Sequence, residues 1–169
     1  MVAFDLGREA LARADRLQWV HILSAGVEHT LYPELIDSPV VLTAAKGSGG
    51  IPMAEFAVLQ MLLWNKNALH YLEAQRRREW DLRANGELNN MTVGIIGLGF
   101  SGADLARKCQ AFHMRVLGLR RTPTPCPDVD EMFTHERLHE FLTRSDFVVV
   151  TTPVTPETRG CWEKRSSGP

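Results

Sequence analysis

Apolar and polar positions alternate along this chain in segments that predict strands and helices in turn. Runs rich in Val, Ile and Leu, each bounded by Gly, Pro or polar residues, are typical of buried strands. They lie at 17–23, 39–45, 91–99, 114–119 and 146–153, with a shorter run at 129–133. Helical spacing of apolar residues occurs between them, at 6–15, 51–80, 101–112 and 135–144. This alternation favours an α/β fold with a mainly parallel sheet.

The longest helical pattern, at 51–80, predicts one long helix, and Pro52 suits its first turn. Its predicted buried face consists of the larger apolar residues Phe56, Leu59, Leu63, Leu69 and Leu72. The polar segment 81–90 that follows has no apolar periodicity, and it is therefore the best candidate for a linker.

The composition is that of a globular protein, and it excludes several classes of partner. Apolar residues make up 44% and charged residues 23% of the chain, and the net charge of −1 favours neither nucleic acid nor an anionic membrane. The longest nearly apolar run, 56–64, is much too short to span a bilayer. The N-terminus lacks a signal-peptide core, and Cys109, Cys126 and Cys161 suggest neither a disulfide framework nor a metal knuckle. We therefore expect a cytoplasmic protein.

A glycine-rich stretch follows one predicted strand and precedes a predicted helix. Gly97, Gly99 and Gly102 match the pattern G-x-G-x-x-G in the strand–turn–helix–strand context of a dinucleotide-binding unit. In such a unit Gly97 permits the tight turn, Gly99 lets the backbone approach a pyrophosphate, and Gly102 lets the helix pack closely on the sheet. The helix N-terminus near Ser101 supplies free N–H groups for the phosphates. A purely structural glycine turn is the alternative.

The strand at 114–119 ends in Arg120, Arg121 and Thr122, where a unit that binds NAD usually places an acid for the ribose hydroxyls. An acid there would repel a 2′-phosphate, whereas a guanidinium can pair with it through two charge-assisted hydrogen bonds. The residues therefore predict NADP as the cofactor, with Arg120 in the position of the acid and NAD as the second possibility. Two solvated arginines at a strand end are the alternative.

Residues 135–139 read HERLH, a literal match to the HExxH zinc motif with Glu136 as general base. Thr134 is predicted to cap this helix, which puts His135 in a frayed first turn, and no third ligand follows His139 at zincin spacing. A solvated helix surface explains the same residues, so no metal site is predicted. The predicted buried stripe of this helix consists of Leu138, Phe141 and Leu142.

Taken together, four stretches resemble the D-isomer-specific 2-hydroxyacid dehydrogenases. They are LQWVHILSAGVEHTLYPEL, IPMAEFAVLQMLL, MTVGIIGLGFSGADLARKCQAFHMRVLGLRR and RLHEFLTRSDFVVVTTPVTPETRG, and the match runs from about Leu17 to Gly160. The resemblance implies reversible hydride transfer between NAD(P) and the α-carbon of a small 2-hydroxy or 2-oxo acid. It also implies a homodimer in the full-length form, with no nucleic acid or membrane partner.

The resemblance implies a Rossmann-type parallel sheet, of which this chain completes only the first half, and part of a flavodoxin-like substrate domain. Residues 1–50 would belong to the substrate domain, 51–80 to an interdomain and dimerisation helix, and 81–160 to the cofactor domain. Residues 161–169 are expected to be a disordered tail. Because the family pattern is short at the beginning and is replaced after Gly160, we expect a fragment truncated at both ends.

The resemblance also assigns site residues. The loop at Ala25 and Gly26 would offer backbone N–H groups to the substrate carboxylate, which suits a glycine-containing nest. Phe100 joins the glycine turn as a cofactor-binding position, and Thr152 and Pro153 would lie near the adenosine side. The catalytic arginine, carboxylate and histidine of the family have no matching positions, so no catalytic residue is assigned.

Three functions stay open at this point. The first is the cofactor-binding part of a 2-hydroxyacid dehydrogenase, inactive alone. The second is a nonenzymatic nucleotide-binding or regulatory module that keeps the phosphate turn. The third is a fragment of an enzyme that resembles formate dehydrogenase and has the same cofactor domain.

Overall fold

The computed structural model describes residues 1–122, 124–155 and 158–160, which form two compact units. The first unit contains Met1–Gly49 together with the described residues after Thr152, and the second unit is Gly50–Thr152. Each unit has its own parallel sheet and its own core. The predicted tail, with Cys161, lies outside the described residues.

The first unit is a three-stranded parallel sheet in the order β1-β2-β3, with two short helices. In chain order its elements are β1 (Val2–Ala3), α1 (Arg8–Ala12), β2 (Trp19–Ile22), α2 (Pro33–Ile36) and β3 (Val41–Ala44). The predicted strands at 17–23 and 39–45 are confirmed, whereas β1 and α2 were not predicted. Apolar side chains from both the strands and the flanking segments form its core: Leu6, Val20, Ile22 and Leu35.

The second unit is a four-stranded parallel sheet in the order β6-β5-β4-β7, the arrangement of a Rossmann-type first half. Its helices are α3 (Gly50–Asn65), α4 (Ala68–Arg77), α5 (Phe100–Ala111) and α6 (Leu138–Thr143). Its strands are β4 (Thr92–Ile96), β5 (Arg115–Leu119), β6 (Glu131–Phe133) and β7 (Phe147–Val150). All four predicted strands of this region are confirmed, and the predicted α/β class is confirmed with them.

The two faces of this sheet carry two apolar clusters because neighbouring strand residues point to opposite sides. On one face Val93 and Ile95 of β4 pack with α3 and α5, including Leu105, all fully buried. On the other face Ile96 packs with a second set of apolar residues: Leu117, Leu119, Phe133 and Phe141. Burial on both faces explains why β4 and β5 read as nearly continuous apolar runs.

The single helix predicted over 51–80 is wrong, since the structure has two helices, α3 and α4. Asn67 separates them with a left-handed φ of 49°. Arg78 ends α4 with a φ of 56° and its N–H donates to Gln75 O at 3.1 Å. The break lies between two apolar patterns that are in helical spacing with one another, so periodicity alone does not reveal it.

Neither these nor any other helix of the described residues has the length and apolar character needed to cross a membrane.

The predicted buried face of α3 is also wrong. Phe56 is 61% exposed and Leu59 is 47% exposed, whereas Ala54, Val58 and Met61 are buried against α5. The physical reason is that α3 is apolar nearly all the way round, so the largest residues do not mark the inner face. Smaller side chains let the two helices approach, and that approach decides which face is buried.

The predicted linker, residues 81–90, contains neither helix nor strand, but it is not a free tether. Tyr71 Oη donates to the carbonyl of Arg83 at 2.8 Å, and Lys66 Nζ donates to that of Gly86 at 2.7 Å. Leu88 is buried in the core of the second unit. The segment is therefore fastened along α3 and α4 by side chains that reach its backbone.

Candidate functional site

The glycine turn begins where β4 ends, and its backbone conformation requires glycine at the first position. Gly97 has φ +90°, and its N–H donates to the carbonyl of Leu119 at 2.9 Å. A Cβ atom on Gly97 would lie 2.9 Å from Thr152 Cγ2 and 3.1 Å from the Thr152 amide nitrogen. The tight turn predicted for Gly97 is therefore confirmed, and no other residue type would fit without strain.

Gly102 lets α5 pack against this turn. A Cβ atom on Gly102 would overlap the carbonyl oxygen of Gly97 and lie 3.0 Å from Thr151 Oγ1. The close approach of helix and strand predicted for this glycine is thus confirmed.

Gly99 presents the opposite situation, because a Cβ atom there would meet no atom of the described residues within 4 Å. Gly99 is the N-cap of α5 with an extended backbone, and no side chain caps the helix. The first intrahelical bond is Ala103 N–H to Gly99 O at 2.9 Å, so the N–H groups of Phe100, Ser101 and Gly102 keep no partner within the helix. Open space next to free N–H groups and the positive end of the helix dipole suits an anionic phosphate.

Phe100 contributes backbone rather than ring to this space. Its side chain packs on the first residue of α3, since a Cβ atom on Gly50 would overlap the Phe100 ring. Ser101 is half-buried beside it. The turn from Gly97 to Gly102 contains no ionisable side chain, so its affinity for an anion rests on N–H groups and the helix dipole.

Thr151 is a residue of this site that was not predicted. Its Oγ1 donates to the carbonyl of Gly97 at 2.6 Å, and its N–H donates to that of Ile96 at 2.8 Å. It thereby connects the end of β7 to the turn that follows the neighbouring strand β4. The signal in the sequence is a threonine directly after a predicted strand, one position before the predicted Thr152 and Pro153.

Thr152 and Pro153 lie in different units. Thr152 is half-buried and contacts the Gly97 backbone in the second unit. Pro153 is exposed and belongs to the first unit, where its carbonyl accepts a hydrogen bond from Thr158 Oγ1 at 2.7 Å. Their role beside a cofactor stays a prediction.

The two arginines after β5 differ in their surroundings. The N–H of Arg120 continues the ladder to Phe133 O at 3.2 Å, and its guanidinium donates to the carbonyl of Thr124. Its Nε is buried and has no hydrogen-bond partner among the described residues. Arg121 and Thr122 are exposed. Within the described ranges neither arginine pairs with a carboxylate, so this strand end carries two uncompensated positive charges next to the glycine turn.

The loop assigned to the substrate carboxylate follows β2 in the first unit. Ala25 is exposed and Gly26 is half-buried. Ser24 Oγ donates to the carbonyl of Gly26 at 2.6 Å, and His29 Nε2 lies 3.0 Å from the carbonyl of Phe4. The structure thus places both predicted residues in a loop that is fastened near each end.

The HERLH stretch does not form one helix. His135–Arg137 is a 3-10 turn, and α6 begins only at Leu138. Arg137 pairs with Glu140 at 2.7 Å and with Glu131 at 3.2 Å. Across the part of the chain that the structure describes, no three His, Cys, Asp or Glu side chains cluster as metal ligands. Of the predicted buried stripe, Phe141 is fully buried, and Leu138 and Leu142 are half-buried and pack against the same cluster.

Two titratable groups on α5 have pKa values that hydrogen bonding or burial shifts. The hydrogen bond from Lys108, followed by that from Arg107, lowers the pKa of Asp104 on α5. Burial raises the pKa of the Cys109 thiol to about 12, so this cysteine is a neutral packing residue and not a nucleophile.

A groove of about 870 Å³ lies between α3 and β7 in the second unit. It is lined mainly by apolar side chains, among them Phe56, Met61, Trp64, Val148 and Val150. It exists because β7 is an edge strand of the sheet. Its chemistry offers little to a phosphate, so we assign the nucleotide to the glycine turn and not to this groove.

Known proteins match both the sequence and the fold. The family model described as "D-isomer specific 2-hydroxyacid dehydrogenase, NAD binding domain" matches residues 58–166. A relative named glyoxylate/hydroxypyruvate reductase A, from Salmonella paratyphi B, is 30% identical over 151 residues, which are 86% of this chain and 48% of the relative. The chain therefore spans about half the length of the curated relatives it matches.

Two solved structures show the same likeness. A D-isomer specific 2-hydroxyacid dehydrogenase family protein from Aeromonas salmonicida matches with a TM-score of 0.81 at 28% identity, over 89% of this chain and 48% of that one. The NADPH-dependent glyoxylate/hydroxypyruvate reductase of Sinorhizobium meliloti, in complex with NADP and sulfate, matches with a TM-score of 0.79 at 33% identity. That match covers 92% of this chain and 50% of the other.

Proposed function

The chain belongs to the D-isomer specific 2-hydroxyacid dehydrogenase family, and we propose that it forms the NADP(H)-binding part of an oxidoreductase acting on a small 2-hydroxy or 2-oxo acid. The proposed reaction is hydride transfer between the nicotinamide and the α-carbon of the acid. The observation that carries the proposal is the glycine turn. Gly99 leaves open space beside the free N–H groups of α5, while Gly97 and Gly102 fix the backbone around it.

The residues present fit the cofactor in two places. The N–H groups of Phe100 to Gly102 would hold the pyrophosphate at the start of α5, where backbone donors and the helix dipole act together. Arg120 and Arg121 would hold the 2′-phosphate, since no carboxylate of the described residues neutralises them. Thr152 and Pro153 would lie near the adenosine. When bound, the nicotinamide supplies or accepts the hydride.

The cofactor assignment is tested by titrating the 169-residue chain with NADPH and with NADH and following the nucleotide fluorescence. We expect NADPH to bind at least about tenfold more tightly, because each charge-assisted hydrogen bond to the 2′-phosphate contributes roughly 1.5 to 3 kcal/mol. Equal affinities would contradict the role of the arginines. Absence of binding to either nucleotide would contradict the proposal as a whole.

The substrate proposal rests on the named relatives, which are glyoxylate/hydroxypyruvate reductases. Ala25 and Gly26 would receive the carboxylate of a comparable small 2-oxo acid. We also propose that this chain binds the cofactor without turning it over, since no residue is assigned as general acid or base. His113 is not assigned this role because it follows the C-terminus of the 12-residue helix α5. At a rise of about 1.5 Å per residue, it lies roughly 18 Å from the turn. Steady oxidation of NADPH by glyoxylate or hydroxypyruvate would contradict this part.

The assembly is a further part of the proposal. The domain boundaries at residues 50, 80 and 160, the cytoplasmic setting and a homodimer of the whole protein all stay predictions. The exposed apolar side chains of Phe56 and Leu59 on α3 support a role of this helix in association. Light scattering of the chain, compared with a variant carrying Phe56→Glu and Leu59→Glu, tests it, with Trp80→Glu as a control at an even more exposed apolar position. A mass that is the same in all three would contradict it.

A further inference from the structure

The loop after β2 carries a run of backbone donors that the fold leaves free. In the first unit, as far as it is described, no backbone N–H of residues 24–29 donates to an acceptor, whereas those of Leu23 and Thr30 do, to Ala3 O and Val27 O. A bound anion can accept hydrogen bonds from free backbone N–H groups. The proposed substrate carboxylate would bind here.

The loop is held in this form from both sides. Ser24 Oγ–H binds the Gly26 carbonyl, and Thr30 Oγ1 donates to Asp5 Oδ1 at 2.9 Å. Thr30 is fully buried. Hydrogen bonds therefore hold the loop near both of its ends.

One anion of the chain already lies at this loop. A Cβ atom on Gly26 would be 2.5 Å from Glu28 Oε2 and 3.0 Å from Glu28 Oε1, so the Glu28 carboxylate occupies the space next to the Gly26 backbone. Among the described residues no cation forms an ion pair with Glu28, whereas Glu34 of the same unit pairs with Arg8 at 3.2 Å. The charge of Glu28 is thus uncompensated where a second carboxylate would have to bind.

We propose that Glu28 is a specificity-determining residue that competes with the substrate carboxylate for the 24–29 loop and disfavours acids with a second negative charge. This inference rests on the proposed function for the place of the substrate. Repulsion between Glu28 and a ligand grows in proportion to the ligand charge. The Coulomb repulsion is therefore about twice as large for a dianion as for a monoanion at the same distance. The residue therefore favours monocarboxylic 2-oxo acids over dicarboxylic ones.

The test uses the full 169-residue chain and two probes, glyoxylate as monoanion and oxalate as dianion, with the amide signals of residues 24–29 followed by NMR. Glu28→Gln keeps the size of the side chain and removes its charge. We expect it to tighten glyoxylate binding about threefold and oxalate binding about tenfold, since the second factor is the square of the first when the energy doubles. Both gains should shrink as salt is raised.

Glu9→Gln is the matched control, because it removes the same charge from an exposed position of the first unit, on α1. The inference is overturned if Glu28→Gln binds both probes within twofold of the parent, if Glu9→Gln gives the same gains, or if glyoxylate and oxalate gain equally. Absence of anion binding in every variant overturns it as well. NADPH binding is measured on the same samples, so a chain that gains oxalate affinity but does not bind NADPH contradicts the proposed cofactor function and not the role of Glu28.

Discussion

The glycine turn after β4 and the loop after β2 share two features: both follow a parallel strand, and both present backbone donors. The turn is fixed by backbone packing: Gly102 allows no side chain beside the Gly97 carbonyl, and Thr151 binds that carbonyl from β7. The 24–29 loop is fixed by side-chain hydrogen bonds at its ends, and an acid lies beside its glycine.

This difference predicts different effects of a substitution in the turn and in the 24–29 loop. At Gly97 and Gly102 of the turn, added volume should break the fold before it affects the ligand. In the 24–29 loop, a change of charge should alter the affinity for the ligand and leave the fold intact. Substitutions in the second unit can distinguish a loss of stability from a loss of ligand affinity.

The largest effect is expected from Gly102→Ala. Its Cβ would overlap the Gly97 carbonyl, and such overpacking costs about 3 kcal/mol of unfolding free energy. NADPH binding should be lost with it. The matched control is Gly99→Ala, whose Cβ meets nothing within 4 Å and whose φ of −75° suits alanine.

Gly99→Ala should therefore leave the urea midpoint unchanged and still weaken NADPH binding, because the methyl group fills the space reserved for the phosphate. Urea unfolding and NADPH titration of both variants check the pair. Equal stability of the two variants would contradict the packing account of the turn.

A smaller effect, on selectivity and not on stability, is expected from Arg120→Asp. It should lower the preference for NADPH over NADH by about tenfold or more, since a carboxylate repels the 2′-phosphate and accepts hydrogen bonds from a ribose. The ratio of the two dissociation constants is the measurement. Arg16→Asp makes the same charge change at an exposed position of the first unit and should leave the ratio unaltered. A ratio unchanged by Arg120→Asp would return both arginines to the status of solvated surface residues.

Thr151→Val should cost about 1 to 2 kcal/mol, because it removes the hydrogen bond to the Gly97 carbonyl and leaves that oxygen without this donor. NADPH affinity should fall only as far as the turn loosens. The measurement is urea unfolding with and without NADPH, and Thr151→Ser, which keeps the hydroxyl, is the control. If the serine variant loses as much stability as the valine variant, packing of the methyl group is the cause and not the hydrogen bond.

The smallest effect is a dependence of stability on pH. The hydrogen bond from Arg137, followed by that from Arg144, lowers the pKa of Glu140 to about 2, and the bonds from Arg144 and Arg137 lower that of Glu131. A folded pKa below the unfolded value stabilises the fold above the unfolded pKa, and this contribution is lost as the pH falls towards the folded one. The urea midpoint should therefore drop as the pH is lowered from about 5 to about 3. This window starts in the ordinary pKa range of a carboxyl group. The slope should be shallower in Glu140→Gln and small in all cases, because these pairs are solvent-exposed. A slope equal in the parent and Glu140→Gln would assign the acid sensitivity to other carboxylates.

Much of the second unit follows from local pattern. The strands β4, β5 and β7, the helix α5, the tight turn at Gly97 and the close helix packing at Gly102 were all predicted. Each of these depends on a few consecutive residues. The contact of Thr151 with Gly97 joins residues 54 positions apart, and no local pattern reports it.

By itself, then, the sequence determined the order of strands and helices, the phosphate-type turn and the positive end of β5, because periodicity, glycine spacing and charge act over short distances. Only the tertiary structure decided that Val58 and not Phe56 is buried on α3, that residues 81–90 are fastened to α3 and α4, and that Glu28 lies against Gly26. The reason is physical. A helix that is apolar all round, a polar segment and an acid in a loop have no preferred partner until the rest of the chain surrounds them.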